Sequence, residues 1–128
     1  ENIELIKANI GKKIILIDRF IDSTIAYQHY GMGVDIKLIK NINNFLLKGI
    51  NIDFTFLNTV SQKNMKTRLV KRKKLNRYDK FNQNFYKKVQ QGFMKILNKN
   101  PNKYMRINSN LKIETNEKII LNKINELI

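Results

Sequence analysis

The chain has 128 residues, 42% of them hydrophobic, which suffices for one modest core and not for several domains. It has no cysteine, which excludes a disulfide scaffold, and no apolar run approaches the roughly 20 residues of a membrane span, so a cytoplasmic protein is expected. The formal charge of +15 invites a nucleic-acid reading through counterion release, but the lysines are spread along the chain among many Asn and Ile, as AT-rich codons would give; no nucleic-acid or membrane partner is expected.

Ile3, Leu5, Ile6 and Ile10 fall at helical spacing, with Gly11 as the stop. The chain opens on Glu1 inside or just before this helix, as a fragment would. The consecutive branched residues Ile14, Ile15, Leu16 and Ile17 predict a strand over 13–17 buried on both faces. It runs into Asp18-Arg19 and a short helix over 22–30 that Asp22 or Ser23 caps. Gly31 and Gly33 break that helix, and Asp35 caps another whose face is Ile36, Leu38, Ile39, Ile42, Phe45, Leu46 and Leu47, ending at Gly49. A second strand follows from Asp53 to Val60.

Ser61 is the expected N-cap of a helix through Met65 and Val70, after which Lys71-Arg72-Lys73-Lys74 and Leu75-Asn76-Arg77-Tyr78-Asp79 form the least core-like stretch. Phe81, Phe85, Val89, Phe93, Ile96 and Leu97 step by three and four, predicting a long amphipathic helix from Lys80 to Lys99 that Pro101 stops. A third strand is expected over Tyr104 to Ile107 and a last helix over 114–128. Alternating strands and helices predict an α/β fold with a parallel sheet.

In such sheets ligands bind beyond the carboxyl ends of the strands, where Asp18 and Arg19 are expected. Arg19 offers a donor fork suited to two phosphate oxygens, and the following helix N-terminus favours the same charge; the plain alternative is an Asp18–Arg19 ion pair at a strand end. No Gly-x-x-x-x-Gly-Lys-[Ser/Thr] loop is present. His29, the sole histidine, is assigned no role, and no residue is assigned as a metal ligand.

Asp18-Arg19-Phe20-Ile21-Asp22-Ser23-Thr24-Ile25-Ala26-Tyr27-Gln28, followed by Gly31-Met32-Gly33, closely resembles the monophosphate-binding segment of bacterial thymidylate kinases. Asp53 to Leu57 resembles that family's fourth strand, Arg68 to Asp79 its lid, and Phe85 to Phe93 the helix after the lid. The resemblance implies an incomplete P-loop nucleoside monophosphate kinase fold, a single domain over 1–128 that lacks its first strands and its phosphate loop. With the family's strand order 2-3-1-4-5, the chain is expected to be a carboxyl-terminal part, poorly stable and inactive alone.

The activity implied is transfer of phosphate from ATP to deoxythymidine monophosphate (dTMP), with Mg2+. Arg19 holds the acceptor phosphate and Asp18 stands beside the transferring group. Ser23 caps the helix or lines the pocket, Thr24 meets the pyrimidine, Tyr27 packs on the sugar's 2′ carbon, and Gln28 adds a contact of the same kind. Arg68, Arg72 and Arg77 clamp the donor, Arg72 and Arg77 also serving catalysis, and Asp79 meets the acceptor sugar or magnesium. Asn76 stands where the family commonly has an acid, and Gln90 where arginine is frequent. A homodimer through residues 35–48 is also implied. The alternatives are a kinase for another deoxynucleoside or nucleotide, and a basic nucleic-acid-binding module.

Overall fold

The computed structural model describes residues 2–71 and 83–128. They fall into two compact units, the described parts of Glu1–Asp53 with Asn82–Lys99 and of Phe54–Phe81 with Asn100–Ile128.

The first unit is helical. Its elements are α1 (Asn2–Asn9), α2 (Ile21–Thr24) continuing directly into a π-helical segment (Ile25–Gly31), α3 (Ile36–Leu46) and α5 (Gln83–Lys99). The core lies where α5 meets the π segment: Ala26 is fully buried, and Phe85, Val89 and Gly92 are buried opposite. The four-residue step from Phe85 to Val89 puts both on one face of α5, as the sequence periodicity predicts. Two glycines permit the approach. A Cβ on Gly92 would lie 2.5–2.7 Å from Tyr30 Cδ2, Cβ and Cγ, and one on Gly31 would lie 2.6 Å from Phe85 Cε2.

The π character is visible at its end, where Met32 N donates to Tyr27 O five residues back (3.0 Å). His29 Nδ1 donates to the Val34 carbonyl (2.9 Å), so the histidine fastens this helix end. Asp35 caps α3 as expected, its Oδ1 accepting from Lys37 N at 2.6 Å and Leu38 N at 3.4 Å. Of the apolar face of α3 only Ile39 is buried; Leu38, Ile42, Phe45 and Leu46 are exposed.

The second unit holds β1 (Thr55–Thr59), α4 (Gln62–Val70), β2 (Tyr104–Asn108) and α6 (Ile113–Leu127). β1 and β2 pair in parallel, Thr55 opposite Tyr104 through Thr59 opposite Asn108, with Ile107 buried. These are the second and third strands expected from the sequence, adjacent as the last two strands of the order 2-3-1-4-5 must be. Ser61 Oγ accepts from Asn64 N (3.3 Å), the expected cap of α4, and Pro101 opens a 3-10 turn after α5.

Two sequence expectations fail. Residues 13–17 form no strand: residue 13 is a bend and 14–17 have no regular structure, and Ile14, Leu16 and Ile17 are 61%, 76% and 44% exposed. An apolar run becomes a strand only when a neighbour accepts its backbone hydrogen bonds, and no described segment pairs with this one. Nor does Asp22 or Ser23 cap the next helix, which starts at Ile21 with Phe20 in the cap position and no side-chain cap bond. Between the run and the helix, Arg19 takes φ 62°, the one positive φ outside glycine among the described residues. A Cβ in the left-handed region costs about 1–2 kcal/mol.

Two stability predictions follow from these backbone features. Gly92→Ala is expected to lower stability by about 1–2 kcal/mol in urea unfolding, since an overpacking cost of about 2–3 exceeds the roughly 1 returned by helix propensity. Gln91→Ala, exposed on the same helix, should stay within about 0.5 kcal/mol. At position 19 the usual order of residues inverts: Arg19→Gly should be more stable than Arg19→Ala by about 1 kcal/mol, and equal or reversed midpoints would contradict a left-handed Arg19.

Candidate active site

Asp18, Arg19, Ser23, Thr24, Tyr27 and Gln28 sit where the 14–17 run meets the α2–π helix. The turn delivers Asp18 and Arg19 to the surface, both exposed. One turn along the helix Ser23 is half-buried and Thr24 exposed, and beyond them Tyr27 and Gln28 are half-buried.

The structure brings two of these together. The Arg19 guanidinium carbon lies 5.8 Å from the centroid of the Tyr27 ring. Such a cation–π contact at an exposed site contributes about 0.5–1 kcal/mol, less than the 1–2 kcal/mol that the left-handed backbone costs. Arg19 is therefore held in its conformation by the folding of the segments on either side of it, not by its own contact. Strain of this kind clusters where a side chain must be aimed.

Asp18 and Arg19 form no ion pair, so the plain reading of the dipeptide is not realised. Asp18 has no hydrogen bond or ion pair among the described residues. Ser23, Thr24 and Gln28 share the helix with Tyr27 but make no side-chain hydrogen bond to it or to Arg19. Arg72, Arg77 and Asp79, with most of the expected lid and the first turn expected of α5, lie outside the described residues.

Arg68 belongs to the second unit. Its Nη2 donates to the Ser109 carbonyl (2.7 Å), just past the carboxyl end of β2. The same end carries a polar cluster absent from the sequence reading: Asn110 Oδ1 accepts from Ser61 N and Oγ (both 3.2 Å) and from Asn64 Nδ2 (2.8 Å), while Arg106 Nε donates to Thr59 Oγ1 (2.9 Å). Single asparagines in an asparagine-rich chain carry no signal of such a cluster; only the parallel register of β1 and β2 assembles it.

Sequence reasoning also missed what surrounds Tyr27. The Phe85 and Phe93 rings meet it edge-on, with centroids 6.0 and 6.3 Å away. The available signal was Gly92, because glycine inside an otherwise regular amphipathic helix costs about 1 kcal/mol and marks a close approach. An open cleft beside Tyr30, Gly33, Lys88, Gln91 and Lys95 contains none of the residues assigned from the sequence.

Among the described residues, no three His, Cys, Asp or Glu side chains converge on a metal position. Mg2+ in phosphoryl-transfer sites commonly sits on one or two carboxylates together with substrate phosphates, and Asp18, exposed and without a partner among the described residues, fits that donor set. No described helix is long and apolar enough to cross a membrane.

The family model for thymidylate kinase matches residues 1–120. The thymidylate kinase of Exiguobacterium sp. (strain ATCC BAA-1283 / AT1b) is 34% identical over 108 residues, 84% of this chain and 51% of that protein. That of Staphylococcus epidermidis is 36% identical over 103 residues, 80% of this chain and 51% of that protein. The crystal structure of thymidylate kinase from Ehrlichia chaffeensis superposes with a TM-score of 0.67 at 32% identity, covering 96% of this chain and 56% of that one. The chain thus spans about half the length of the curated relatives it matches, and its small parallel sheet and helices are part of the P-loop nucleoside monophosphate kinase fold. With a family model over nearly its whole length and a matching fold, the chain belongs to the thymidylate kinase family.

Proposed function

We propose that this chain supplies the acceptor site of a dTMP kinase, acting as part of a longer kinase that also holds a phosphate loop. The reaction moves the terminal phosphoryl group of ATP to a phosphate oxygen of dTMP, giving dTDP and ADP. The observation that carries this reading is the pairing of Arg19 with Tyr27 at 5.8 Å: the two residues that the family resemblance gives to the acceptor's phosphate and sugar stand side by side on a strained turn and the helix after it.

Phosphoryl transfer is mostly positioning and neutralisation of charge, so each side chain has a limited task. Arg19 binds two oxygens of the acceptor phosphate through its fork and fixes the line of attack. Tyr27 fills the space beside the 2′ carbon and excludes a ribose hydroxyl. Thr24 meets the base, Gln28 adds a contact beside Tyr27, and Ser23 lines the pocket. Arg68, Arg72 and Arg77 take the donor's phosphates or lie over its base, and Asp79 reaches the acceptor sugar. Mg2+, held by Asp18 and the phosphates, would supply neutralisation of the developing charge.

The exposed faces support the remainder of the reading. Ile14, Leu16 and Ile17 take sheet neighbours within the complete kinase, and Leu38, Ile42, Phe45 and Leu46 of α3 form the contact of a homodimer in the cytoplasm. A ribonucleotide kinase shares the phosphate chemistry but has no use for a ring that excludes a 2′-hydroxyl, and a kinase of another deoxynucleotide differs at the base that Thr24 meets. A nucleic-acid module leaves the Arg19 turn unexplained.

In the full-length kinase, Arg19→Ala is expected to lower kcat/KM for dTMP by about 10²–10³, while Tyr27→Ala should let the enzyme accept the ribonucleotide more readily. Unchanged turnover in Arg19→Ala would refute the acceptor assignment. Phe45→Asp, at a side chain 83% exposed, should convert dimer to monomer in sedimentation; a dimer that persists would move the interface elsewhere.

A further inference from the structure

We propose that Phe93 is a positioning residue for sugar selection, setting the angle of the Tyr27 ring from the face of α5. This rests on the reading above that Tyr27 faces the 2′ carbon. A tyrosine that rejects a single hydroxyl must keep its ring in one place, yet a half-buried side chain on a helix ordinarily has more than one rotamer open to it. Among the described residues, Arg19, Phe85 and Phe93 stand against the ring. Arg19 lies over it, while Phe85 and Phe93 meet it at interplanar angles of 61° and 79°.

The two phenylalanines are not equivalent. Phe85 is 7% exposed and also stands against Gly31, so it belongs to the core. Phe93 is half-buried, two turns further along α5, and follows Gly92, whose missing Cβ lets α5 approach Tyr30. The contact of Tyr30 with Gly92 fixes how near α5 lies, and Phe93, the next residue, carries that distance to Tyr27. Phe93 acts through Tyr27 and is given no contact with substrate.

The test uses the full-length kinase and two acceptors that differ only at the 2′ position, dTMP and ribothymidine 5′-monophosphate. The readout is the ratio of their kcat/KM values. Phe93→Leu is expected to lower the preference for dTMP by about three- to tenfold, the range that loss of an aromatic edge contact allows. Phe93→Tyr, which keeps the ring, should preserve the ratio. Phe93→Met, closer in volume, repeats the measurement if the leucine variant folds poorly. An unchanged ratio in both Phe93→Leu and Phe93→Met, whatever happens to stability or turnover, would overturn the proposal and leave Phe93 a packing residue. A wild-type enzyme without preference between the two acceptors would instead overturn the reading of Tyr27, and this proposal with it.

Discussion

Gly92 and Tyr30 touch so closely that a single added methyl group would fall within 2.5–2.7 Å of three ring and Cβ atoms. That approach brings α5 onto the π segment, and the rest of the first unit follows from it. Ala26, Phe85 and Val89 are buried between the two elements, and Phe85 and Phe93 reach the Tyr27 ring. Tyr27 in turn lies under Arg19, where the chain turns through a left-handed residue. A surface arginine with an unfavourable φ is thereby connected, contact by contact, to the best-buried part of the unit. Where folding fixes a strained backbone, the strain is offset elsewhere, and here the offset comes from apolar packing on α5.

The same unit leaves much apolar surface uncovered. Ile14, Leu16 and Ile17 on one side and Leu38, Ile42 and Phe45 on α3 are exposed at levels unusual for large aliphatic and aromatic side chains. By contrast the end of β1 and β2 is a polar network, with Asn110 Oδ1 accepting three hydrogen bonds and Arg68 closing onto Ser109, although Asn116 Oδ1 beside it is buried without a partner among the described residues. The two units therefore differ in what holds them: aromatic and aliphatic packing against a helix in the first, and a parallel ladder with a side-chain network in the second.

Features that depend on local chemistry were legible in the sequence. Asp35 and Ser61 cap the helices that follow them because a short acceptor side chain meets free N–H groups wherever it sits at that position. The period of α5 and the two strands of the sheet were readable for similar reasons. Features that depend on partners were not. The run at 14–17 has the composition of a buried strand, which records the environment those side chains suit and not a neighbour's presence. The π segment and the φ of Arg19 are not features of local propensity, and nothing in Ile25 to Gly31 alone distinguishes π from α. The candidate acceptor residues Arg19, Ser23, Thr24, Tyr27 and Gln28 rest on a motif rather than a pattern, since they share no periodicity of their own.

The most direct test of the acceptor-site assignment is a crystal structure of the full-length kinase with dTMP bound. The account predicts the Arg19 guanidinium within about 3 Å of two oxygens of the acceptor phosphate, and the Tyr27 ring against the 2′ carbon with Phe93 still at its edge. A thymidylate bound elsewhere, with Arg19 left resting on Tyr27, would contradict it.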